Sequence, residues 1–325
     1  MRVAIVGAGA VGGVVAWHMA QAGQKPVIIA RPQTAALLSA EGLTLQAPSV
    51  AAQTLAVQAT ADAASAGIQD LVIVGFKAQD WEGGLDLVRP LVGPSTIVLP
   101  MLNGIPWWYL DGLGPQFGDR TLQAVDANGA IDAAISAGQI LGCVVYIGAN
   151  RPAPNVVTWN GRKRLIIGEP LAAQGGRLAE VVAFLKAGGI DAEQSDDIRL
   201  EVWLKLLGNA AYNPISAVTG AAIDKIADDP ATRAVAKAIM AECVAVAGAL
   251  GVAGLPDLEV RLQVPPTLIG VKTSMLQDME AGRPLELGAI VAAVAELGRR
   301  TGVPTPTIEC VGALAASAWR QRWGG

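Results

Sequence analysis

Short, unbroken apolar runs alternate with helix-length stretches through the first half of the chain. Residues 3–6 form the first run, followed by Gly7-Ala8-Gly9-Ala10-Val11-Gly12 and a helical pattern to about Ala22. Gly23 closes that helix, and residues 27–30, 71–76 and 96–102 are further apolar runs. Runs of this length without polar interruption predict strands of a parallel sheet buried on both faces. Helical stretches at 34–40 and 80–90 lie between them, and the strict alternation predicts an α/β, doubly wound sheet. Residues 140–146, 155–159 and 165–168 are closer together and punctuated by Pro or Gly. They predict hairpin-connected strands that complete the same domain.

Beyond Ser195 the pattern changes to long Ala/Leu/Val-rich segments without a strand signature. Residues 231–250 carry only Arg233, Lys237 and Glu242 as charges, so that helix must be buried on several sides. Ile290, Val294 and Leu297 form another helical stripe, with Glu296, Arg299 and Arg300 opposite. The expectation is a doubly wound domain over 1–195 followed by an all-helical domain over 196–325, and a length of 325 residues suits two domains.

Composition narrows the chemistry. The formal net charge is −4 and no Lys/Arg-rich run interrupts it, so an electrostatic footprint for nucleic acid is missing. His18 is the single histidine, which excludes His-rich metal sites and leaves no basis for expecting a metal. A helical histidine packed near a sheet is its ordinary reading, and it is given no catalytic role. Cys143, Cys243 and Cys310 are dispersed, odd in number and form no C-x-x-C, which suits buried thiols in a reducing compartment. Ala20-Gln21-Ala22 resembles a leader cleavage site, but cleavage there would delete a strand and glycine loop that make sense together. The apolar run 243–255 is shorter than the roughly 20 residues a bilayer needs. A cytoplasmic location without membrane association is therefore expected.

The glycine loop stands directly after a strand and opens a helix. Gly7 permits a tight turn, Gly9 a close approach of backbone to a pyrophosphate, and Gly12 close packing of helix on strand. The helix N-terminus offers its free N–H groups to the anion. At the end of the second strand, Ala30-Arg31-Pro32-Gln33 has no acid to hold a ribose 2′-hydroxyl. Arg31 there favours NADP(H), whose 2′-phosphate an arginine accommodates.

Hydride transfer asks the protein for orientation and one proton donor or acceptor. Lys205, Asn209 and Asn213 recur every four residues and so share one helix face. Pro214 is expected to end or kink that helix. Spacing alone leaves a solvated face, or a Glu201–Lys205 ion pair, as an equal alternative.

Taken together, the motifs resemble the ketopantoate reductase (2-dehydropantoate 2-reductase) family across nearly the whole chain. They are the glycine loop with Arg31, Lys77 after a strand, Asn103-Gly104 after the next strand, and the Lys205/Asn209/Asn213-Pro214 helix. Thr273-Ser274-Met275-Leu276-Gln277-Asp278, leading to Arg283-Pro284-Leu285-Glu286, is the most specific of them. The resemblance implies an N-terminal Rossmann domain, a helical C-terminal domain and NADPH-dependent reduction of a 2-oxo acid, 2-dehydropantoate to pantoate in pantothenate biosynthesis. It further implies that Gly7, Ala8, Gly9, Ala10, Val11, Gly12, Arg31, Lys77 and Ala149 bind NADPH/NADP+. Asn103 would touch both cofactor and substrate, and Lys205 would donate the proton. Asn209, Asn213 and Ser274 would hold substrate, and Glu286 would lie by the nicotinamide ribose and the lysine. Both ligand sets are expected to face one cleft, in a monomer or homodimer.

Each motif has a bland counterpart: Asn103-Gly104 as a turn, Ser274-x-x-Gln277 as a capping box, Glu286 as a surface carboxylate. Two departures from the family pattern bear on the substrate. Ile105-Pro106-Trp107-Trp108-Tyr109 is bulkier than a glycine-rich continuation, and Gly288 stands where an aspartate is usual. Trp107 and Trp108 read as a pocket wall, core packing or a subunit contact. A 2-hydroxy-acid dehydrogenase for a bulkier substrate, and a non-catalytic NADP(H)-binding sensor, stay open as alternatives.

Overall fold

In the computed structural model, which describes residues 1–48, 50–172 and 175–324, the strands belong to two five-stranded sheets. The first contains β1 (Val3–Val6), β2 (Val27–Ile29), β5 (Gln58–Thr60), β6 (Leu71–Val74) and β7 (Ile97–Pro100). Its order is β5-β2-β1-β6-β7, every pairing is parallel, and Ile5 stands opposite both Ile28 and Ile73. β1 and β6 are buried along their whole length, which is why they read as continuous apolar runs.

The later strands do not extend this sheet; they build a second one. β8 (Gly142–Ala153) and β9 (Val156–Gly168) form a long antiparallel hairpin. β9 also pairs in parallel with β3 (Leu43–Ala47) and β10 (Asp191–Ser195), and β4 (Val50–Leu55) closes the edge on β3. The Ala10–Gln21 helix touches β1 on one side and β3, β4, β8 and β9 on the other, so Gly12 through Met19 are all buried. Gly13 makes that contact possible, since a Cβ there would lie 2.6 Å from Val157 Cγ1. His18 Nδ1 donates to the Val14 carbonyl at 2.9 Å, and its ring stands edge-on to Trp17 and Trp159.

The chain divides into two compact units, but not by a single cut. One unit holds 1–102 and 129–198, and the other holds 103–128 and 199–325. The segment 103–128, placed with the first domain by a linear reading, belongs to the second unit. Glu296 explains part of this: its carboxylate accepts the backbone N–H groups of Gln123 and Ala124 at 3.0 and 2.9 Å. Arg300, bonded to that carboxylate, donates to the carbonyls of Asp119 and Thr121. Arg199 Nε donates to the Tyr109 carbonyl, and Trp203 Nε1 donates to the Tyr109 hydroxyl at 2.5 Å. Trp107 and Trp108 are buried in this unit, in a short 3-10 helix, and resolve as core packing.

The rest of the second unit is helical among the described residues, with Ile198–Thr219 and Pro230–Ala249 its longest elements. Pro214 does not end the first of these: the helix continues to Thr219. No helix of the described residues is long and apolar enough to cross a membrane.

Candidate active site

In the first unit, the carboxyl ends of β1, β2 and β6 lie in register at one sheet edge, Val6 opposite both Ile29 and Val74. The glycine loop leaves β1 at this edge. Gly7 has φ +93°, a left-handed region that favours glycine, and its N–H donates to the Ile29 carbonyl at 3.0 Å. A Cβ on Gly12 would lie 2.3 Å from the Gly7 carbonyl oxygen, so helix and loop could not approach as they do. Gly9 differs. A Cβ there would meet only the Gly75 carbonyl, at an ordinary 3.6 Å, so the protein's own packing does not demand glycine. Gly9 is also the N-cap of the Ala10–Gln21 helix and supplies no side chain to its orphan N–H groups. Open space before an uncapped helix start fits the phosphates of a dinucleotide.

The other predicted cofactor residues occupy the same unit. Arg31 follows β2 and is the N-cap residue of the Pro32–Glu41 helix, with its side chain exposed. Lys77 follows β6 and starts the short 3-10 turn Ala78–Asp80. Ala149 lies on β8 opposite Trp159. Ala8 is buried, and its carbonyl accepts a hydrogen bond from Arg151 Nη1 at 2.9 Å. Ala10 and Val11 form the first turn of the helix. Gly75-Phe76 was missed as part of this edge. A Cβ on Gly75 would crowd Gly12, and one on Gly7 would lie 3.0 Å from the Phe76 ring. A glycine directly after a buried strand was the available signal.

In the second unit, three residues far apart in sequence meet. Lys205 Nζ donates to Asn103 Oδ1 at 2.5 Å, and Asn103 Nδ2 donates to Glu286 Oε2 at 3.5 Å, the long end of a hydrogen bond. Glu286 is buried and Lys205 half-buried. A surface carboxylate and a solvated helix face are therefore not what these residues are. The meeting depends on Gly104, with φ +83° and a virtual Cβ 2.4 Å from the Ala289 carbonyl oxygen. That approach lets Ile105 N–H donate to the same carbonyl at 2.8 Å, laying the Asn103 loop against the π-helical turn Gly288–Ala292 that follows Glu286. π-turns of this kind recur at functional sites. Gly288 has its own reason: a Cβ there would lie 2.8 Å from the Ala124 carbonyl oxygen.

Asn209 lies one turn on from Lys205 and is half-buried, and Asn213 is buried a turn further. The Asn213 carbonyl accepts from Ser216 Oγ at 2.9 Å, and that hydroxyl contacts Thr273 Oγ1. Thr273, not Ser274, caps the Ser274–Glu280 helix by accepting from Leu276 N–H at 3.1 Å. Ser274 is thereby left exposed in the first turn, with no capping duty. The Ser216–Thr273 link was not anticipated, because two hydroxyls 57 residues apart leave no local pattern.

The sequence profile described as "Ketopantoate reductase PanE/ApbA" matches residues 3–171, and its C-terminal counterpart matches 197–318. The chain belongs to the ketopantoate reductase family. A 2-dehydropantoate 2-reductase of Mesorhizobium japonicum is 40% identical over 315 residues, 97% of this chain and 96% of that one. A solved structure from Ralstonia solanacearum, provisionally named a ketopantoate reductase, is 41% identical with a TM-score of 0.93, covering 99% and 98% of the two chains. At 20% identity and a TM-score of 0.84, a D-mandelate dehydrogenase solved with NADH and anilino(oxo)acetate shares the fold. As a member of the ketopantoate reductase family the protein is an oxidoreductase acting on a small molecule.

Proposed function

We propose that the protein reduces 2-dehydropantoate to pantoate with NADPH. The observation that carries this reading is the hydrogen-bonded chain from Lys205 through Asn103 to Glu286. Bound nicotinamide supplies the hydride to the C2 ketone. The ammonium of Lys205 stabilises negative charge as it develops on the carbonyl oxygen and then supplies the proton at Nζ. Asn103 fixes where that ammonium stands. Glu286 accepts from the amide nitrogen of Asn103, so the amide oxygen is the end presented to Lys205. Asn209, Asn213 and Ser274 offer neutral polar groups to the substrate's carboxylate and hydroxyl. Gly7 through Gly12, Arg31, Lys77 and Ala149 hold the dinucleotide, with Arg31 selecting the 2′-phosphate.

Trp107 and Trp108 are both buried, which favours 2-dehydropantoate over a bulkier substrate. A buried carboxylate wired to a half-buried lysine is an expensive arrangement for a sensor that does no chemistry. The test is consumption of NADPH and NADH by the purified protein against 2-dehydropantoate and a panel of straight-chain, branched and aromatic 2-oxo acids. The highest kcat/KM is expected with 2-dehydropantoate and NADPH. A charge-assisted contact to the 2′-phosphate sets the preference over NADH at about ten- to hundredfold. Absence of turnover across the panel, or equal use of the two cofactors, would overturn the reading.

A further inference from the structure

Arg151 sits on β8 where the hairpin breaks step: Asn150 pairs with Thr158, the next register point is Ala153 with Val156, and Arg151-Pro152 fall within the shift. Such irregularities re-aim a side chain out of the regular alternation. Here the guanidinium reaches the glycine loop, where Nη1 donates to the Ala8 carbonyl at 2.9 Å. The partner is a carbonyl, so the cation is held in place without being neutralised. Burial disfavours its charged form most, and the neighbouring charge of Arg31 adds to that. Gly7 N–H donates to the Ile29 carbonyl, two residues before Arg31, and Ala8 accepts from Arg151, so both cations are tied to the same loop at a helix start that suits an anion. An arginine has five N–H donors in a planar fork, and the Ala8 carbonyl occupies one of them. Part of the side chain remains exposed and can meet a ligand.

We propose that Arg151 is a second anchor for the 2′-phosphate of the dinucleotide, acting together with Arg31. This rests on the NADPH reading given above and goes beyond it. Cofactor selectivity would then come from a residue on the β8–β9 hairpin, some 120 residues beyond the strand end where the selecting residue is normally sought. The bond to Ala8 keeps the guanidinium pre-oriented, so little rotamer freedom is lost on binding.

The experiment is calorimetric titration of the full chain with NADPH, NADH and adenosine 2′,5′-bisphosphate, for the parent protein, Arg31→Gln, Arg151→Gln and the double variant. The parent titrations test the cofactor reading by themselves: equal affinity for NADPH and NADH would end that reading before any Arg151 variant is measured. Given a parent preference for NADPH, Arg151→Gln is expected to weaken NADPH and the bisphosphate by about ten- to hundredfold and to leave NADH unchanged. Because both arginines would hold one phosphate, the double variant should lose less than the product of the two single losses. Arg151→Lys keeps a donor for the Ala8 carbonyl and the charge but lacks the fork. It should recover part of the NADPH affinity, and it carries the comparison if Arg151→Gln does not fold. Equal weakening of NADPH and NADH would overturn the proposal and make Arg151 a bracket for the loop or a pyrophosphate contact. Unchanged NADPH affinity would overturn it outright.

Discussion

Replacing Lys205 by methionine keeps much of the side-chain length and removes the ammonium. Lys205 is half-buried and its Nζ lies 2.5 Å from Asn103 Oδ1, so the substitution has a structural and a chemical consequence. Structurally, Asn103 Oδ1 loses a charged donor. Water can reach a half-buried position, so the loss in stability should be about 1 kcal/mol, the lower end of the range for an orphaned acceptor. Chemically, the substrate oxygen loses both a stabilising charge and a proton source, which should lower kcat by about 10²–10⁴, or roughly 3–5 kcal/mol of barrier. The two consequences separate experimentally. Steady-state NADPH oxidation with 2-dehydropantoate reads the chemical one, denaturant unfolding the structural one, and NADPH affinity should change little, because the glycine loop and Arg31 carry most of it. Asn209→Ala is the contrasting case, raising KM with kcat largely retained, as expected for a positioning contact. Near-normal kcat in Lys205→Met would refute the reasoning and leave Glu286 or a bound water to supply the proton.

Glu296→Ala removes the acceptor for two backbone N–H groups and the partner of Arg300 at a buried position, and should cost about 3–5 kcal/mol in denaturant unfolding. A loss under 1 kcal/mol would mean that 103–128 is held by other means. Gly288→Asp, which restores the residue usual in the family, should destabilise by about 1–3 kcal/mol, because its Cβ would lie 2.8 Å from a backbone carbonyl whose own residue is tied to Glu296. An unchanged midpoint would show that the Ala124 turn yields freely. His18 has its pKa lowered, chiefly by burial and further by the charge of Lys163, against the opposing hydrogen bond to Val14. Its neutral form is the one folded, so its contribution is full above the unfolded value of about 6.5 and is lost as pH falls through the lowered folded value. Melting temperature should therefore drop with acidification below about pH 6.5, and His18→Gln should flatten that slope. A slope identical in the variant would assign it to other groups.

The sequence by itself determined whatever depends on neighbours within a turn or two. The run 3–6, the loop to Gly12 and the following helix are one local unit, with the steric roles of Gly7 and Gly12 implied by their spacing. The alignment of Lys205, Asn209 and Asn213 follows from helical periodicity alone. The second sheet was not legible in the same way. β4 and β10 in that sheet, like the edge strand β5 of the first, are short and rich in small or polar residues, β5 and β10 reading Gln-Ala-Thr and Asp-Ala-Glu-Gln-Ser, so they lack the apolar runs that revealed β1 and β6. Only the tertiary structure decided that residues 103–128 fold with the helices, through a carboxylate at Glu296 that reads in sequence as the polar side of an amphipathic helix. The same holds for the contact of Lys205 with Asn103 across 102 residues, and of Asn103 with Glu286 across 183. Periodicity reports which face of an element is apolar, but not which element covers it. That choice is made by close approach of backbones, as at Gly104 against Ala289, and by buried polar groups that must find partners wherever the chain can bring them.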